Sequence, residues 1–380
     1  MPMTEEHQQF RALARDFVAK ELTPHIPSWE QAGMMPLHEI FQSMAKIGLV
    51  GVEYSAEDGG QGADHLYTMI LAEELGKCGN GSFPMAFGVQ TDMATPSLAQ
   101  FGTPEQKQAW LAPSLSGEMV ASIAVTEPDA GSDVAGIKTR ATRDGGDLIL
   151  NGSKMYITNA IQGDWMCVLA RTSDAGGYKG MSQIIVPNDT PGIEMSKLDK
   201  LGMRASDTAL ITFDDVRIPV ENIIGDEGRG FQQQMQQFIV ERMWGAYSGL
   251  GGCEEALART KTYLKQREAF GSRLVDMQFI QYKMADLYAD TDMLKVYNHQ
   301  IAEAVVAGGD PTREATIAKL KIGRLTREVG EWCLQFHGGI GYMEETWTAR
   351  FVRDNLLIGI GGGATEVMQQ VIAMIDVLSD

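Results

Sequence analysis

The spacing of apolar residues changes period twice along this chain, and the two changes restrict the fold to a helical, then β, then helical order. Phe10, Leu13, Ala14, Phe17, Val18 and Leu22 recur at steps of three and four, which predicts one apolar helical face. Pro24 and Pro27 are expected to end that helix. Residues 39–47 and 66–75 read similarly, on either side of the turn-rich stretch 57–62. Between 116 and 225 the apolar segments become short or alternating: 120–125, 147–150, 165–170, 182–186 and 209–213. Turn clusters such as Asp144-Gly145-Gly146 and Asn151-Gly152 bound them, which predicts a β module. From Gly230 the helical period returns and holds to about Asp380, with breaks at Gly308-Gly309-Asp310-Pro311 and at 338–341. The expected class is α+β, with a helical part at 1–115, a β part at 116–225 and a helical part at 226–380.

A chain of 380 residues is too long for one simple core. With 32 Lys and Arg against 50 Asp and Glu, the net charge of −18 argues against nucleic-acid binding, which needs clustered cations. Cys78, Cys167, Cys253 and Cys333 are widely spaced and form no CxxC or Cys/His cluster. Reduced thiols, a cytoplasmic location and no structural metal are therefore expected. The opening residues carry acids and polar groups where a signal peptide needs an apolar core, so no export signal is expected. No apolar run approaches the ~18 residues of a membrane span, so no membrane insertion is expected either.

Candidate chemistry gathers at four places. In the helix after Gly230, Phe231, Met235, Phe238, Ile239 and Ala246 fall within roughly 80° of one another at ~100° per residue. Arg242 falls inside that stripe and Glu241 on its flank. A buried unpaired charge costs several kcal/mol, so Arg242 needs a carboxylate or a ligand. On the pattern alone, a structural Arg–Glu pair is favoured over a catalytic role. Residues 359–364 read GIGGGA, a formal match to a dinucleotide fingerprint. Only 16 residues follow Ala364, too few for the βαβ unit that fingerprint requires. A glycine turn opening a helix over 365–378 is the better reading, with Thr365 and Glu366 in its first turn. The run Thr126-Glu127-Pro128-Asp129-Ala130-Gly131-Ser132-Asp133 follows the apolar 123–125 and offers hydroxyls and main-chain N–H groups for a ring edge or phosphate. Lys154-Met155-Tyr156-Ile157-Thr158-Asn159 puts an aromatic ring and a hydroxyl on one strand face. For these last two an ordinary turn and an ordinary half-buried strand remain the bland alternatives. His337 has no second His or Cys near it, and a structural role is expected.

Taken together, these residues resemble the acyl-CoA dehydrogenase family along essentially the whole chain. The resemblance rests on 125–133, 154–159, DDVRIPVENIIGDEGRG at 214–230, QREAFG at 266–271, QFHGGIGY at 335–342 and Arg353-Asp354. It implies a helical N-terminal domain, a central β-domain and a C-terminal four-helix bundle, with FAD as cofactor. Carried over by position, Val125, Thr126, Ser132, Tyr156 and Thr158 would line the FAD, with Thr365 and Glu366 also on the cofactor. Phe270 would also be on the cofactor, and Arg267, Gln278, Gln335, Gly338 and Gly339 would reach the FAD of a neighbouring subunit, which implies an oligomer, usually a homotetramer. Ser132, Arg242, Gly362 and Gly363 would meet the acyl-CoA.

Two departures from the family pattern matter. Common members carry their base in a Tyr-Glu-Gly-Thr loop, where this chain reads Gly361-Gly362-Gly363-Ala364. Glu241 instead matches the alternative base position of isovaleryl-CoA and long-chain acyl-CoA dehydrogenases, including bacterial branched-chain or citronellyl-CoA-type enzymes. The resemblance therefore reverses the preference for a structural Glu241. It implies α,β-dehydrogenation of a medium-to-long or methyl-branched acyl-CoA, with an electron-transfer flavoprotein as acceptor. An acyl-CoA oxidase and a non-catalytic protein on the same fold are the rival readings.

Overall fold

The computed structural model describes residues 3–378. Its first part is helical: α1 (Glu5–Phe17), α2 (Ile26–Ala32), α3 (Leu37–Ala45), α4 (His65–Gly76), α5 (Ser82–Gly88), α6 (Pro96–Phe101), α7 (Pro104–Gln106) and α8 (Ala112–Leu115). Thr4 and His7 form a reciprocal cap at the start of α1. Ala14, Phe17, Val18 and Leu22 are buried as the periodicity predicts, whereas Leu13 is exposed. Pro24 and Pro27 do not end the helical path. Each sits in a first turn, where its missing N–H costs nothing, so the winding changes and continues into α2.

α4 is buried nearly all round, which explains why its sequence is apolar without a clear face. Its two buried carboxylates are matched. Arg11 Nη1 reaches Glu73 at 2.8 Å and Glu74 at 2.9 Å, and Lys77 reaches Glu74 at 3.0 Å.

A seven-stranded sheet follows: β1 (Ala121–Ala124), β2 (Arg140–Asp144), β3 (Asp147–Thr158), β4 (Trp165–Arg171), β5 (Met181–Pro187), β6 (Ile193–Lys197) and β7 (Thr208–Pro219). Strand order is β1-β4-β2-β3-β7-β6, with β5 on β4. β1 runs parallel to β4, and β3 runs antiparallel to β7 with two register shifts. The stretches expected at 147–150 and 154–159 are one long strand. β2 and β6 were not expected, because both are exposed and polar and give no apolar alternation.

The last part holds α9 (Gly230–Gln266), a short hairpin of β8 (Glu268–Ala269) and β9 (Ser272–Arg273), α10 (Gln278–Val306), α11 (Thr312–His337), α12 (Trp347–Asn355) and α13 (Thr365–Asp376). α9 lies against α4 at backbone contact. A Cβ at Gly251 would stand 1.9 Å from the Glu73 carbonyl oxygen, and one at Gly76 2.0 Å from that of Ser248, so only glycine permits this crossing.

The buried stripe expected on α9 is corrected. Phe231, Met235, Phe238 and Ile239 are only half-buried, while Gln233, Gln234 and Gln237 are buried. The reason is the neighbour: α9 packs its first turns on the amide of Gln183 in β5, which donates to Gln234 Oε1 at 3.0 Å. Among the described residues no helix is long and apolar enough to cross a membrane, and no group of three or more His, Cys, Asp or Glu is arranged to hold a metal. The four cysteines are buried free thiols.

Candidate active site

The 126–133 turn and the 154–159 strand, separate in sequence, are sewn together in the fold. Met155 N–H donates to the Thr126 carbonyl at 2.9 Å. The wholly buried Lys154 donates its Nζ to Val125 O at 2.7 Å and to Glu127 Oε1 at 3.0 Å. Glu127 also accepts from the backbone N–H groups of Lys138 and Thr139. Burial opposes a charge on Glu127, yet Lys154 and these N–H donors hold it below the usual carboxylate range.

This anchorage carries Tyr156 at a β-bulge with φ +65°, a region an aromatic residue seldom enters. Its ring is 63% exposed, with half-buried Thr158 two residues on. An aromatic ring held out of the core on strained backbone, beside the hydroxyls of Thr126 and Thr158, fits the flat polar-edged ring of FAD. The Val125 side chain is buried with Ala130, Ile137, Leu169 and Met181, so Val125 can offer a ligand only its main chain. Ser132 is exposed on the same turn.

The other proposed cofactor residues lie apart from this surface. Arg267 leads into the hairpin, Phe270 at its tip is 99% exposed with φ +51°, and Gln278 opens α10. The hairpin's own contacts run to α9. Gln335, Gly338 and Gly339 are exposed at the end of α11. His337 there is buried: its Nδ1 bonds the Cys333 carbonyl at 2.7 Å and its ring stacks on Tyr263 at 4.2 Å. Burial keeps its pKa below the ordinary histidine value, as suits a structural residue.

Glu241 faces a narrow cleft of about 70 Å³ between α9, the α4–α5 turn and the 356–363 segment. The wall around it includes Met85, Trp244, Gly245, Lys319 and Gly362. Burial raises the Glu241 pKa above the ordinary carboxylate value, opposed by Lys319 and Arg242.

Gly362 and Glu241 are direct neighbours. A Cβ at Gly362 would stand 2.9 Å from Glu241 Oε1, and Gly362 has φ +66°. The two alternative base positions named by the resemblance thus open on one space.

Arg242 has no carboxylate ion pair among the described residues. Its Nη1 donates to Thr316 Oγ1 at 3.1 Å, while its buried Nε has no partner. That overturns the structural pair favoured by the helix pattern and leaves a buried donor requiring an acceptor. Gly363 (φ +92°) follows Gly362, and Thr365 Oγ1 donates to Gly359 O at 3.2 Å, which closes the turn onto α13 with Glu366 exposed in its first turn.

One site residue escaped the sequence reading. Lys319 on α11 is buried against this turn, and the signal was present. It falls in the stripe Ala315, Ala318, Ile322, Leu325, all buried, where a charge demands a reason.

Comparison with known proteins agrees along the whole length. Three family profiles match in order: acyl-CoA dehydrogenase N-terminal domain at 4–118, middle domain at 122–216 and C-terminal domain at 228–375. The chain belongs to the acyl-CoA dehydrogenase family. It is 36% identical over 373 residues to a probable acyl-CoA dehydrogenase, YngJ, of Bacillus subtilis, covering 98% of both chains. It is also 36% identical over 371 residues to the mitochondrial long-chain specific acyl-CoA dehydrogenase of Mus musculus, covering 97% of this chain and 86% of that one. A crystal structure of acyl-CoA dehydrogenase from Geobacillus kaustophilus superposes with a TM-score of 0.94 at 37% identity, covering 98% and 99% of the two chains. The helical, β and helical parts are those of this fold, and members are FAD flavoproteins of fatty-acid β-oxidation. The chain is accordingly an FAD-dependent oxidoreductase acting on acyl-CoA.

Proposed function

We propose that this enzyme converts medium-to-long or methyl-branched acyl-CoA to the trans-2-enoyl-CoA, with Glu241 as the base. The observation that carries the reading is the Glu241 carboxyl facing the cleft beside the side-chain-free Gly362. Glu241 takes the α-proton, and Gly362 N–H stabilises the charge that develops on the thioester oxygen. FAD, when bound, supplies the acceptor for the β-hydride. Arg242 Nε offers the substrate a buried donor, and Ser132 and Gly363 border it. Electrons leave through an electron-transfer flavoprotein.

The run of cleft-lining residues along α9 supports the chain-length reading. Residues lining it recur along α9 from Glu241 through Trp244, Gly245, Ser248, Gly249 and Gly252 to Arg259. That is about five helical turns, roughly 27 Å at 1.5 Å per residue. Glycines at 361 and 362 put no side chain at the reacting end, which supports acceptance of a methyl branch. A panel of straight and branched acyl-CoAs under dye-coupled turnover tests this. Octanoyl-CoA, palmitoyl-CoA or a methyl-branched substrate should give the highest kcat/KM. Butyryl-CoA as the best substrate would refute the reading of the cleft.

The assembly we propose is a homotetramer in which Arg267, Phe270, Gln278, Gln335, Gly338 and Gly339 of one subunit meet the FAD of the next. The support is their exposure, together with exposed Phe279 and Tyr282 on α10 and Tyr342 beyond α11. Arg267→Ala should lower the FAD retained through purification and shift the mass toward smaller species. Unchanged flavin content and mass would remove Arg267 from the cofactor site. Four buried free thiols support a cytoplasmic location.

A further inference from the structure

Lys319 spends its whole donor set on one turn. Its Nζ donates to the carbonyls of Ile358 at 2.5 Å, Gly361 at 2.8 Å and Gly363 at 3.5 Å. An ammonium has three N–H groups, so none is left over. The Gly361 carbonyl belongs to the same peptide as the Gly362 N–H. In a trans peptide the two point opposite ways, so fixing that carbonyl on Lys319 turns the Gly362 N–H away from it. Ile360 and Gly361 N–H groups both bond the Leu357 carbonyl, while the Gly362 N–H has no acceptor among the described residues. Lys319 is also close to the base: the Cβ position of Gly362 lies 2.9 Å from Glu241 Oε1 and 3.4 Å from Lys319 Cε.

We infer that Lys319 is a positioning residue for dehydrogenation: it holds the 358–363 turn so that the Gly362 N–H stays open to the thioester oxygen, and it sets a positive charge beside Glu241. The inference rests on the reading of Glu241 as base. The charged groups acting on Glu241 are Lys319 from α11 and Arg242 beside it on α9. Burial lowers the Lys319 pKa to about 8, with Glu241 opposing, so the ammonium is charged at neutral pH.

Lys319→Met keeps the stem and removes the charge and donors; Lys319→Arg keeps the charge and changes the donor geometry. Two readouts decide. Amide hydrogen exchange of residues 358–364, measured on the FAD-loaded enzyme without substrate, reports the clamp. Stopped-flow flavin reduction against pH reports the charge. Lys319→Met should exchange these amides at least tenfold faster and move the acid limb of flavin reduction up by roughly one pH unit, as expected for loss of one nearby positive charge. Lys319→Arg should restore most of the acid limb but only part of the protection.

Wild-type exchange and an unmoved acid limb in a folded, flavin-bound Lys319→Met enzyme would overturn the inference. If that variant fails to fold, Lys319→Arg decides alone: wild-type protection together with an unchanged rate overturns the clamp. Failure of the Glu241 reading shows separately, as wild-type-like flavin reduction in a Glu241→Gln enzyme whose Lys319 is intact.

Discussion

Glu241→Gln will slow reduction of the flavin by a good acyl-CoA by roughly 10²–10⁴-fold, the usual range for loss of a general base. The amide keeps the shape of the carboxylate, but it cannot accept the α-proton. FAD should stay bound, because Glu241 lines the cleft by Gly362 and is assigned no cofactor contact. Wild-type-like bleaching would make some other group the base.

In the wild type the acid limb has a fixed direction. Burial raises the Glu241 pKa, and only the ionised form takes the proton, so the rate falls as pH drops through that raised value. The exchanged pair Glu241→Gly with Gly362→Glu should recover part of the rate. Removing Glu241 clears the carboxylate that a Gly362 side chain would meet at 2.9 Å. Recovery stays partial because φ +66° at this position disfavours any side chain, by roughly 1–2 kcal/mol. The added side chain also fills the space by the α-carbon, so discrimination against branched acyl-CoAs should rise.

How much of this was legible in the sequence follows from where each signal lay. The long amphipathic elements showed through their period, and the end of α10, the start of α11 and the end of α11 fall at the glycine and proline breaks visible beforehand, whereas the β8–β9 hairpin that parts α9 from α10 did not show. The short polar strands β2 and β6 did not show, because β2 buries only Ala141 and β6 buries nothing, which leaves no apolar alternation to read. Phe270, almost fully exposed in the single chain, gives no periodic signal at all, and its assignment came only from the family resemblance. Glu241 and Arg242 were legible as charges on a helix facing a core, but their chemistry came only from the family resemblance. Lys319 carried the same signal as Arg242, a cation inside an apolar stripe, and the lesson is to ask of every such cation what it holds. Lys154 is a harder case. Within one strand it reads as an ordinary polar residue, and only the return of the 126–133 turn against β3 makes it a buried ion pair.

That ion pair gives the second large effect. Lys154→Met should destabilise the β-domain by about 3–5 kcal/mol, the cost of breaking a buried pair by removing one partner. The loss is of this size because Lys154 is wholly buried and serves two acceptors. Without it Glu127 keeps only the two N–H groups of Lys138 and Thr139, and the Val125 carbonyl loses its Nζ partner. A few kcal/mol is a large share of the 5–15 kcal/mol that holds a typical domain. The expected result is a Tm lower by roughly 10 °C, taking about 2–4 °C per kcal/mol. FAD content should fall alongside, since the same contacts hold the Thr126 turn against Tyr156. The double variant Lys154→Met with Glu127→Leu separates the two effects. Replacing both charges with apolar groups removes the stranded carboxylate and should return part of the Tm. Flavin affinity should recover less, because Glu127 also fixes the turn through Lys138 and Thr139. A Lys154→Met enzyme with wild-type Tm and full flavin would mean that Thr126 and Tyr156 are held in place by the backbone alone.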